Sequence, residues 1–150
     1  MTPEFGSLLK SMRPNRMRTV ALASAIDAAA LQSLSTAYGL GFARAILCGD
    51  ENEIKSIAQK NNIDISAFEI FHCADELSSA QMAVSLVRDG RANILMKGLI
   101  HTADILRAVL NRETGIRGDG ILSHVSVLYS PSRNRRLFLT DCAMVMYPDL

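Results

Sequence analysis

Five residues within one short segment carry the groups that proteins use to bind anions. They are Lys97, Gly98, His101, Thr102 and Arg107. The apolar run 92–96 predicts a strand before them, and the pattern from Thr102 onward predicts a helix. The lysine supplies a point charge and the glycine a flexible backbone, while a helix start offers unpaired amides and the positive end of a dipole. The segment therefore predicts an anion site between a strand and a helix.

The same residues also fit an ordinary connection between a strand and a helix. In that interpretation Gly98 is a turn residue beside a solvated lysine, and Thr102 caps the helix. Arg107 follows Asp104 by three residues on one helix face, and such a surface pair stabilises a helix by at most about 0.5 kcal/mol. His101, at the helix start, is the histidine best placed to reach a bound anion. The residues alone leave both interpretations open.

Two polar residues near the end of the chain are further candidates. Ser123 could donate to a phosphate or acyl oxygen, but the sequence gives it no base, so a nucleophilic role is not predicted. Asp141 follows an apolar run and either caps a turn or reaches into a cleft. His124 is interpreted as a hydrogen-bonded residue of a strand, and His72 as a packing residue. No pair of histidines has the spacing of metal ligands, so no metal is predicted.

Composition narrows the class of protein. The chain of 150 residues is 49% hydrophobic and 21% charged, which is typical of one globular domain. Its net charge of +1 gives no argument for a nucleic-acid or membrane partner. No apolar run approaches the ~20 residues of a membrane span and no signal peptide is visible, so a cytoplasmic location is predicted. A nucleotide hydrolase or dehydrogenase is disfavoured because neither glycine-rich fingerprint is present.

The cysteines Cys48, Cys73 and Cys142 are odd in number and widely spaced. They fit neither a disulfide framework nor a Cys-x-x-Cys metal site. All three lie in or beside apolar segments, so reduced, buried thiols are predicted.

Four apolar runs of strand type start about 24–25 residues apart, with helical patterns between them. The predicted strands are Thr19–Ala25, Ala43–Cys48, Phe68–Cys73 and Ala92–Met96. The predicted helices are Asp27–Tyr38, Glu51–Asn61, Asp75–Arg88 and Thr102 to about Arg112. This alternation predicts an α/β fold, a three-layer sandwich around a mostly parallel sheet. Because the strands are apolar throughout, helices are expected on both faces of the sheet.

The pattern changes after the fourth helix. A loop rich in glycine and charge, 113–120, precedes two more predicted strands, Leu122–Tyr129 and Arg136–Thr140. Their connection, 130–135, is too short for a crossover helix, so a C-terminal antiparallel hairpin is predicted. Residues 1–17 are interpreted as an N-terminal tail or helix, and residues 18–150 as the α/β domain.

Three ordered motifs resemble the phosphate acetyl/butyryltransferase family. They are Lys97–Arg107, which reads Lys-Gly-x-x-His-Thr-Ala-Asp-x-x-Arg, then Leu122-Ser123-His124-Val125, and then Leu139-Thr140-Asp141-Cys142-Ala143 running into Pro148-Asp149-Leu150. The acetyl branch has one more residue between the histidine and the arginine, and usually Ser-Gly in place of Lys97-Gly98. The chain is therefore more similar to the butyryl branch, over about residues 18–150.

The resemblance implies direct acyl transfer in a ternary complex, butanoyl-CoA + phosphate ⇌ butanoyl phosphate + CoA. It implies that Arg107 is catalytic and contacts the acyl phosphate or a phosphate of coenzyme A. It further implies that substrate is bound by Lys97, Gly98, His101, Thr102, Ser123 and Asp141. Coenzyme A is then a substrate, and neither a metal nor a covalently bound cofactor is expected. The expected partners are acyl-CoA, inorganic phosphate, acyl phosphate and, by family analogy, a second copy in a homodimer.

The resemblance also implies that the chain is the first lobe of a two-lobed, isocitrate-dehydrogenase-like enzyme. In the family the third motif lies near the middle of the protein, so an N-terminal half that is inactive alone is expected, either a fragment or a truncated relative. Alternative functions are phosphate acetyl transfer and a non-catalytic module that binds an anion or coenzyme A. A receiver domain is disfavoured, because the first strand lacks the paired acids that hold magnesium and the sheet ends in a hairpin.

Overall fold

The structure is a computed structural model that describes Gly6 and residues 17–141 and 143–145. These residues fall into two compact units that meet in the sequence between Arg117 and Gly118. Most of the predicted N-terminal tail or helix lies outside the described residues, as does Cys142. Within the part of the chain that is described, every helix is too short or too polar to cross a membrane.

The first unit alternates strands and helices. Its strands are β1 (Arg18–Ala23), β2 (Ala43–Gly49), β3 (Glu69–His72) and β4 (Ile94–Lys97), and its helices are α1 (Ala28–Gly39), α2 (Glu51–Lys60), α3 (Glu76–Arg88) and α4 (Thr102–Val109). The strands pair in parallel in the order β3-β2-β1-β4. The sheet thus grows outward on one side of β1 before β4 is added on the other side. The predicted α/β fold with a mostly parallel sheet is confirmed.

Helices cover both faces of this sheet. On one face, α1 and α2 pack around Leu22 and Leu47. On the other face, α3 and α4 pack around Ala21 and Ile46. Successive residues of β1 therefore enter opposite cores, because side chains alternate along a strand. The predicted three-layer arrangement is confirmed.

The central strands are buried more fully than the edge strand β4. Leu22 of β1 and Leu47 of β2 are completely buried, whereas Ile94 of β4 is 47% exposed. Among the described strands β4 pairs with β1 alone, so it lacks a neighbour that would cover its outer side. The exposure of Ile94 thus follows from the edge position of β4, while helices cover both faces of the sheet as predicted.

Helix α4 ends at Val109, about three residues before its predicted end. The side-chain oxygen of Asn111 accepts the N–H groups of Glu113 and Thr114, each at 2.9 Å. Such local bonds compete with continuation of a helix. A Cβ on Gly115 would lie 2.4 Å from the Val109 carbonyl oxygen. The chain therefore folds back so closely on the helix end that only glycine fits.

The second unit contains an antiparallel hairpin of β5 (Ser126–Ser130) and β6 (Arg135–Leu139). A short 3₁₀ turn, Pro131–Arg133, and Asn134 join the strands. Asn134 has a φ of +46°, which asparagine tolerates better than most residues, and its side chain accepts the Tyr129 hydroxyl at 2.6 Å. The predicted hairpin is confirmed.

The strand β5 begins four residues later than predicted. Residues 122–125 lie outside both strands, and the His124 N–H donates to the Asp141 carboxylate at 2.8 Å. The prediction of a strand from Leu122, with His124 inside it, is therefore wrong. The apolar pattern gave no sign that this amide binds a side chain far along the chain instead of a neighbouring strand.

Candidate functional site

The segment 97–102 lies where the strand order of the first unit reverses. Ala23 at the end of β1 pairs with Lys97 at the end of β4. The helix that follows β1 packs on one face of the sheet, and the helix that follows β4 packs on the other. The chain therefore diverges from two adjacent strand ends, and open α/β sheets bind ligands in the crevice that this creates.

Gly98 brings this segment against the end of β1. Its N–H donates to the Ala23 carbonyl at 2.8 Å, and the next N–H, that of Leu99, donates to the Ser24 carbonyl at 3.1 Å. A Cβ at Gly98 would lie 2.2 Å from the Ser24 carbonyl oxygen. The glycine is therefore required by the approach of two backbones, whether or not a phosphate also approaches it.

The Lys97 ammonium folds over the turn that follows it. Its Nζ donates to the carbonyl oxygen of Ile100 at 2.7 Å and to that of Gly98 at 3.4 Å. An ammonium has three donors, so two carbonyl partners leave one donor that could reach an anion. Lys97 thus both closes the turn and carries positive charge at the carboxyl edge of the sheet.

Helix α4 begins without a side-chain cap. His101 occupies the N-cap position in an extended conformation, and its exposed side chain makes no capping hydrogen bond within the described residues. Thr102 is the first helical residue, so the alternative in which Thr102 caps the helix is not observed. Among the described residues, therefore, no side chain at the cap position satisfies the first amides of α4, which lie at the positive end of the helix dipole.

Arg107 lies farther along α4 and pairs with Asp104. The guanidinium Nη1 and the carboxylate Oδ1 are 2.6 Å apart, and the arginine side chain is 72% exposed. Both residues line a hollow of about 110 Å³ between α3 and α4, together with Leu77 and Gln81. The surface pair foreseen as one alternative is thus present. The anion-binding role of Arg107 stays a prediction, for which the guanidinium keeps four further N–H groups.

The other two predicted residues, Ser123 and Asp141, lie in the second unit. Ser123 is exposed. The Asp141 carboxylate accepts the N–H groups of Met144 at 2.7 Å, Ala143 at 2.8 Å and His124 at 2.8 Å. These amides lower the pKa of Asp141 from 3.8 to about 2. Of the two roles considered for Asp141, the turn cap is observed, and the cleft role remains a prediction.

The two remaining histidines differ from their sequence interpretation. His72 is exposed at the end of β3, and its Nδ1 accepts the Glu51 N–H at 3.3 Å, so the prediction that it serves packing only is wrong. His124 is partly buried, and its Nδ1 has no hydrogen-bond partner among the described residues. Histidine at a strand end is hard to interpret from sequence because its acceptor nitrogen reaches partners that lie elsewhere in the chain.

Sequence reasoning missed two serines near the segment 97–102, hereafter the anion segment. Ser24 and Ser79 are only 3% and 1% exposed, and both bond to the backbone of other elements. The one available signal was a polar residue among apolar neighbours, at the end of β1 and on the buried face of α3. That signal identifies a buried hydroxyl but not its partner.

The two described cysteines, Cys48 and Cys73, are buried thiols. Burial raises the pKa of Cys48 to about 12 and also raises that of Cys73. Both cysteines are free and buried, as predicted.

Among residues 17–141 and 143–145, no three side chains of His, Cys, Asp or Glu converge as metal ligands do. That the protein needs no metal remains a prediction.

Comparison with known proteins gives consistent matches. A sequence profile of the family described as Phosphate acetyl/butaryl transferase matches residues 76–150. The chain is 41% identical to the phosphate butyryltransferase of Clostridium acetobutylicum over 150 residues, which is 100% of this chain and 50% of that protein. It is 31% identical to the phosphate acetyltransferase of Rhizobium meliloti over 147 residues, 98% of this chain and 46% of that protein. The chain thus spans about half the length of the curated relatives it matches.

The structural comparison agrees with the sequence comparison. The crystal structure of a branched-chain phosphotransacylase from Enterococcus faecalis V583 matches with a TM-score of 0.70 and 32% sequence identity. The match covers 89% of this chain and 46% of that chain. The fold described above is therefore shared with a protein of that name.

Proposed function

The chain belongs to the phosphate acetyl/butyryltransferase family, and from this premise we propose that it forms the first lobe of an enzyme catalysing butanoyl-CoA + phosphate ⇌ butanoyl phosphate + CoA. The butyryl-type acyl group is supported by 41% identity to a butyryltransferase against 31% to an acetyltransferase. The proposal includes acyl-CoA, inorganic phosphate and acyl phosphate as substrates, a homodimer as the assembly and the cytoplasm as the location.

The observation that carries the proposal is that α4 starts without a side-chain cap, which we call its open start. This start follows the end of β4, beside the end of β1, where the order of the strands in the sheet reverses. The first amides of this helix have no side-chain acceptor from His101. Lys97 brings a positive charge to the same turn. Amides, dipole and ammonium together favour a dianion such as phosphate. In the proposal, Lys97, Gly98, His101 and Thr102 hold this phosphate.

Acyl transfer needs a held nucleophile and a stabilised oxyanion. A phosphate oxygen attacks the thioester carbonyl carbon, a C–O bond forms, and the C–S bond breaks as coenzyme A leaves with the electron pair. Negative charge grows on the carbonyl oxygen before the C–S bond breaks. A guanidinium that binds the phosphate and lies beside that oxygen stabilises the charge, and this is the role proposed for Arg107. Ser123 and Asp141, which lie in the second unit, are also proposed to bind substrate.

Four N–H groups of Arg107 remain for a substrate while one is bonded to Asp104, and an exchange of partners would release the fifth. Its present bond to Asp104 compensates the guanidinium charge at the helix surface. Because Arg107 is largely exposed, the exchange breaks only a weak surface pair. An incoming acyl phosphate offers several oxygens to the guanidinium fork, and bidentate bonds to phosphate are stronger than a single exposed bond to a carboxylate.

The test is a titration of the chain with phosphate, in which binding is measured by calorimetry. Arg107→Ala should weaken binding by roughly tenfold, while Asp104→Asn should strengthen it, because it releases the guanidinium from its internal partner. Arg112→Ala is the matched control, since it removes an exposed arginine beyond the end of α4. If Arg107→Ala and Arg112→Ala bind phosphate equally well, Arg107 is only a surface residue.

Turnover gives the second test. In a protein of the relatives' full length, Arg107→Ala should lower thiol release from butanoyl-CoA by one or more orders of magnitude. The 150 residues alone should release no thiol above background, because catalysis by positioning needs reacting atoms held about 3–3.5 Å apart by a complete site. Phosphate-dependent turnover by the chain alone would contradict this part of the proposal.

A second candidate function is an anion-binding module without catalysis. The pairing of Arg107 with Asp104 favours it, since the charge proposed for catalysis is already compensated. Such a module would bind phosphate or coenzyme A in the titration but would show no turnover even at full length. The two assays therefore separate the candidates.

A further inference from the structure

Ser79 of α3 places a buried hydroxyl at the carboxyl ends of two neighbouring strands. Its Oγ accepts the N–H of Ser24, which directly follows β1, at 2.6 Å. The same Oγ donates to the carbonyl oxygen of Cys48 in β2 at 2.8 Å. A hydroxyl has one proton to donate, so this single oxygen bonds both strand ends at once.

The backbone at Ser24 needs such support. Ser24 has a φ of +50°, in the left-handed region that few residues other than glycine adopt. It is also 3% exposed, so solvent cannot satisfy its N–H. An unfavourable conformation of this kind persists only where the surroundings hold it. The Ser79 oxygen supplies the one acceptor that the described residues offer to this N–H.

Ser24 in turn holds the anion segment by two bonds. Its Oγ donates to the Leu99 carbonyl at 2.8 Å, and its own carbonyl accepts the Leu99 N–H at 3.1 Å. The next residue, Ile100, accepts the Lys97 ammonium at 2.7 Å and leads directly into the N-cap of α4. A shift of Leu99 therefore moves both the charged and the amide components of the turn.

We propose that Ser79 is a positioning residue of the anion site, which acts through Ser24 and Leu99 on the Lys97 turn and the start of α4. The identity of the site rests on the proposed function, whereas the positioning of the turn does not. Ser79 touches no part of the proposed substrate. Its role is to fix the distance and direction of groups that do.

A simpler role for Ser79 would be to attach α3 to the sheet. Loss of the hydroxyl would then weaken the whole unit equally. The positioning role predicts instead a local effect, concentrated at Leu99, with the central strands unchanged. Amide hydrogen exchange distinguishes these outcomes because it reports opening residue by residue.

The experiment compares Ser79→Ala with Ser85→Ala in the same helix. Ser85 is the matched control, because in the described part of the chain its hydroxyl bonds within α3, to the carbonyl of Met82 at 2.8 Å. Ser79→Ala should speed exchange of the Leu99 amide roughly tenfold relative to that of Leu47 in β2, and weaken phosphate binding by a similar factor. Ser85→Ala should leave both values near those of the parent.

Ser24→Gly guards against a variant that does not fold. Glycine accepts the positive φ but removes the hydroxyl that binds the Leu99 carbonyl. It should therefore fold and still speed Leu99 exchange. If Ser79→Ala fails to fold and Ser24→Gly exchanges at the parent rate, the proposal is overturned.

The remaining outcomes separate the two proposals. Equal acceleration at Leu47 and Leu99 in Ser79→Ala, or no acceleration at either, overturns the positioning role. Faster Leu99 exchange with unchanged phosphate affinity also overturns it, since the bonded turn then does not serve the site. If the parent chain binds no phosphate, the proposed function fails at its first step, and the exchange comparison alone decides the role of Ser79.

Discussion

The four described helices of the first unit begin in two different ways. At α1, α2 and α3 an aspartate caps the helix, and its carboxylate accepts a backbone N–H of the first turn at 2.7–2.9 Å. These aspartates are Asp27, Asp50 and Asp75. At α4 the same position is held by His101, which accepts none in the described structure. Three helix starts thus bind a carboxylate of the chain itself, whereas the fourth receives none from its cap residue and is the one proposed to bind an anion.

The setting of the two kinds of helix start differs as well. The capped starts of α2 and α3 carry further acidic residues, Glu51, Glu53 and Glu76, in their first turns. The start of α4 also carries an acidic residue, Asp104, in its first turn, but Lys97 precedes this helix and Arg107 pairs with the Asp104 carboxylate. Negative charge stabilises a helix start when it belongs to the chain, but it also repels an incoming anion. In the proposed function, the helix dipole therefore contributes to stability at the capped starts and to anion binding at the start of α4.

The largest expected effect tests what holds the open start in place. Gly98→Ala should destabilise the first unit by about 3 kcal/mol or more, because the new Cβ would lie 2.2 Å from a backbone oxygen that cannot move aside. Chemical denaturation measures this loss. Gly39→Ala is the control, because a Cβ there would meet nothing within 4 Å. A Gly98→Ala variant as stable as the Gly39→Ala variant would show that the close approach is not needed.

His101→Asp converts the open start into a capped one. The helix should gain about 0.5–1 kcal/mol from the new cap, while phosphate affinity should fall by roughly tenfold or more, because a carboxylate occupies the amides and repels the ligand. His101→Asn provides a neutral cap and should give a smaller loss of affinity. Calorimetric titration with phosphate measures both. Unchanged affinity in both variants would mean that the first amides of α4 do not bind the anion.

Asp50→Ala makes the reverse change at a capped start. Removing the acceptor of the Glu53 N–H should cost about 1 kcal/mol of stability. Phosphate affinity at the α4 start should stay within the error of the titration, since the two helix starts are independent in this interpretation. A new phosphate site at α2 in this variant would support the view that the aspartate caps exclude anions, and a loss of affinity at α4 would contradict it.

The smallest expected effect concerns Asp141, whose carboxylate accepts backbone N–H groups in a turn and not at a helix start. Its pKa of about 2 lies below the ordinary value of 3.8, so ionised Asp141 stabilises the folded second unit above pH 3.8. This contribution is lost as the pH falls from 3.8 through about 2. In the unsubstituted chain, the NMR signals of the folded amides of residues 126–139 should therefore weaken as the pH falls from 3.8 to about 2. Asp141→Asn should not show this acid dependence, and an identical acid profile in the two proteins would rule out the capping role.

The sequence predicted those features of the fold that depend on local pattern. The apolar runs and the helical patterns located β1 to β4 and α1 to α4, with strand ends within two residues of those observed. The end of α4 was missed because Asn111 leaves the helix by a side-chain bond that hydrophobic periodicity does not report. The start of β5 was missed for a similar reason, since the His124 amide is bound by Asp141.

The candidate site likewise has a part that the sequence predicted and a part that it did not. Lys97, Gly98, His101 and Thr102 are contiguous, so a strand followed by a turn and a helix was enough to place them together. Ser79 and Ser24 lie 55 residues apart, and no spacing rule relates a serine after one strand to a serine in a later helix. Arg107 was placed correctly on α4, and its spacing of three residues from Asp104 was enough to offer their pair as one alternative.

The bonds between Ser24 and Leu99 join positions 75 residues apart along the chain. Closing so long a loop carries a larger entropic penalty than forming a turn, and contacts of this separation are typically made late in folding. Among the described strands β4 has β1 as its single neighbour, so few other bonds secure it once Leu99 is released. We therefore expect the anion segment to assemble in a late step of folding and to open first in native fluctuations. A bound phosphate would then stabilise the closed form, so the opening of β4 from the sheet should become rarer as the phosphate concentration rises.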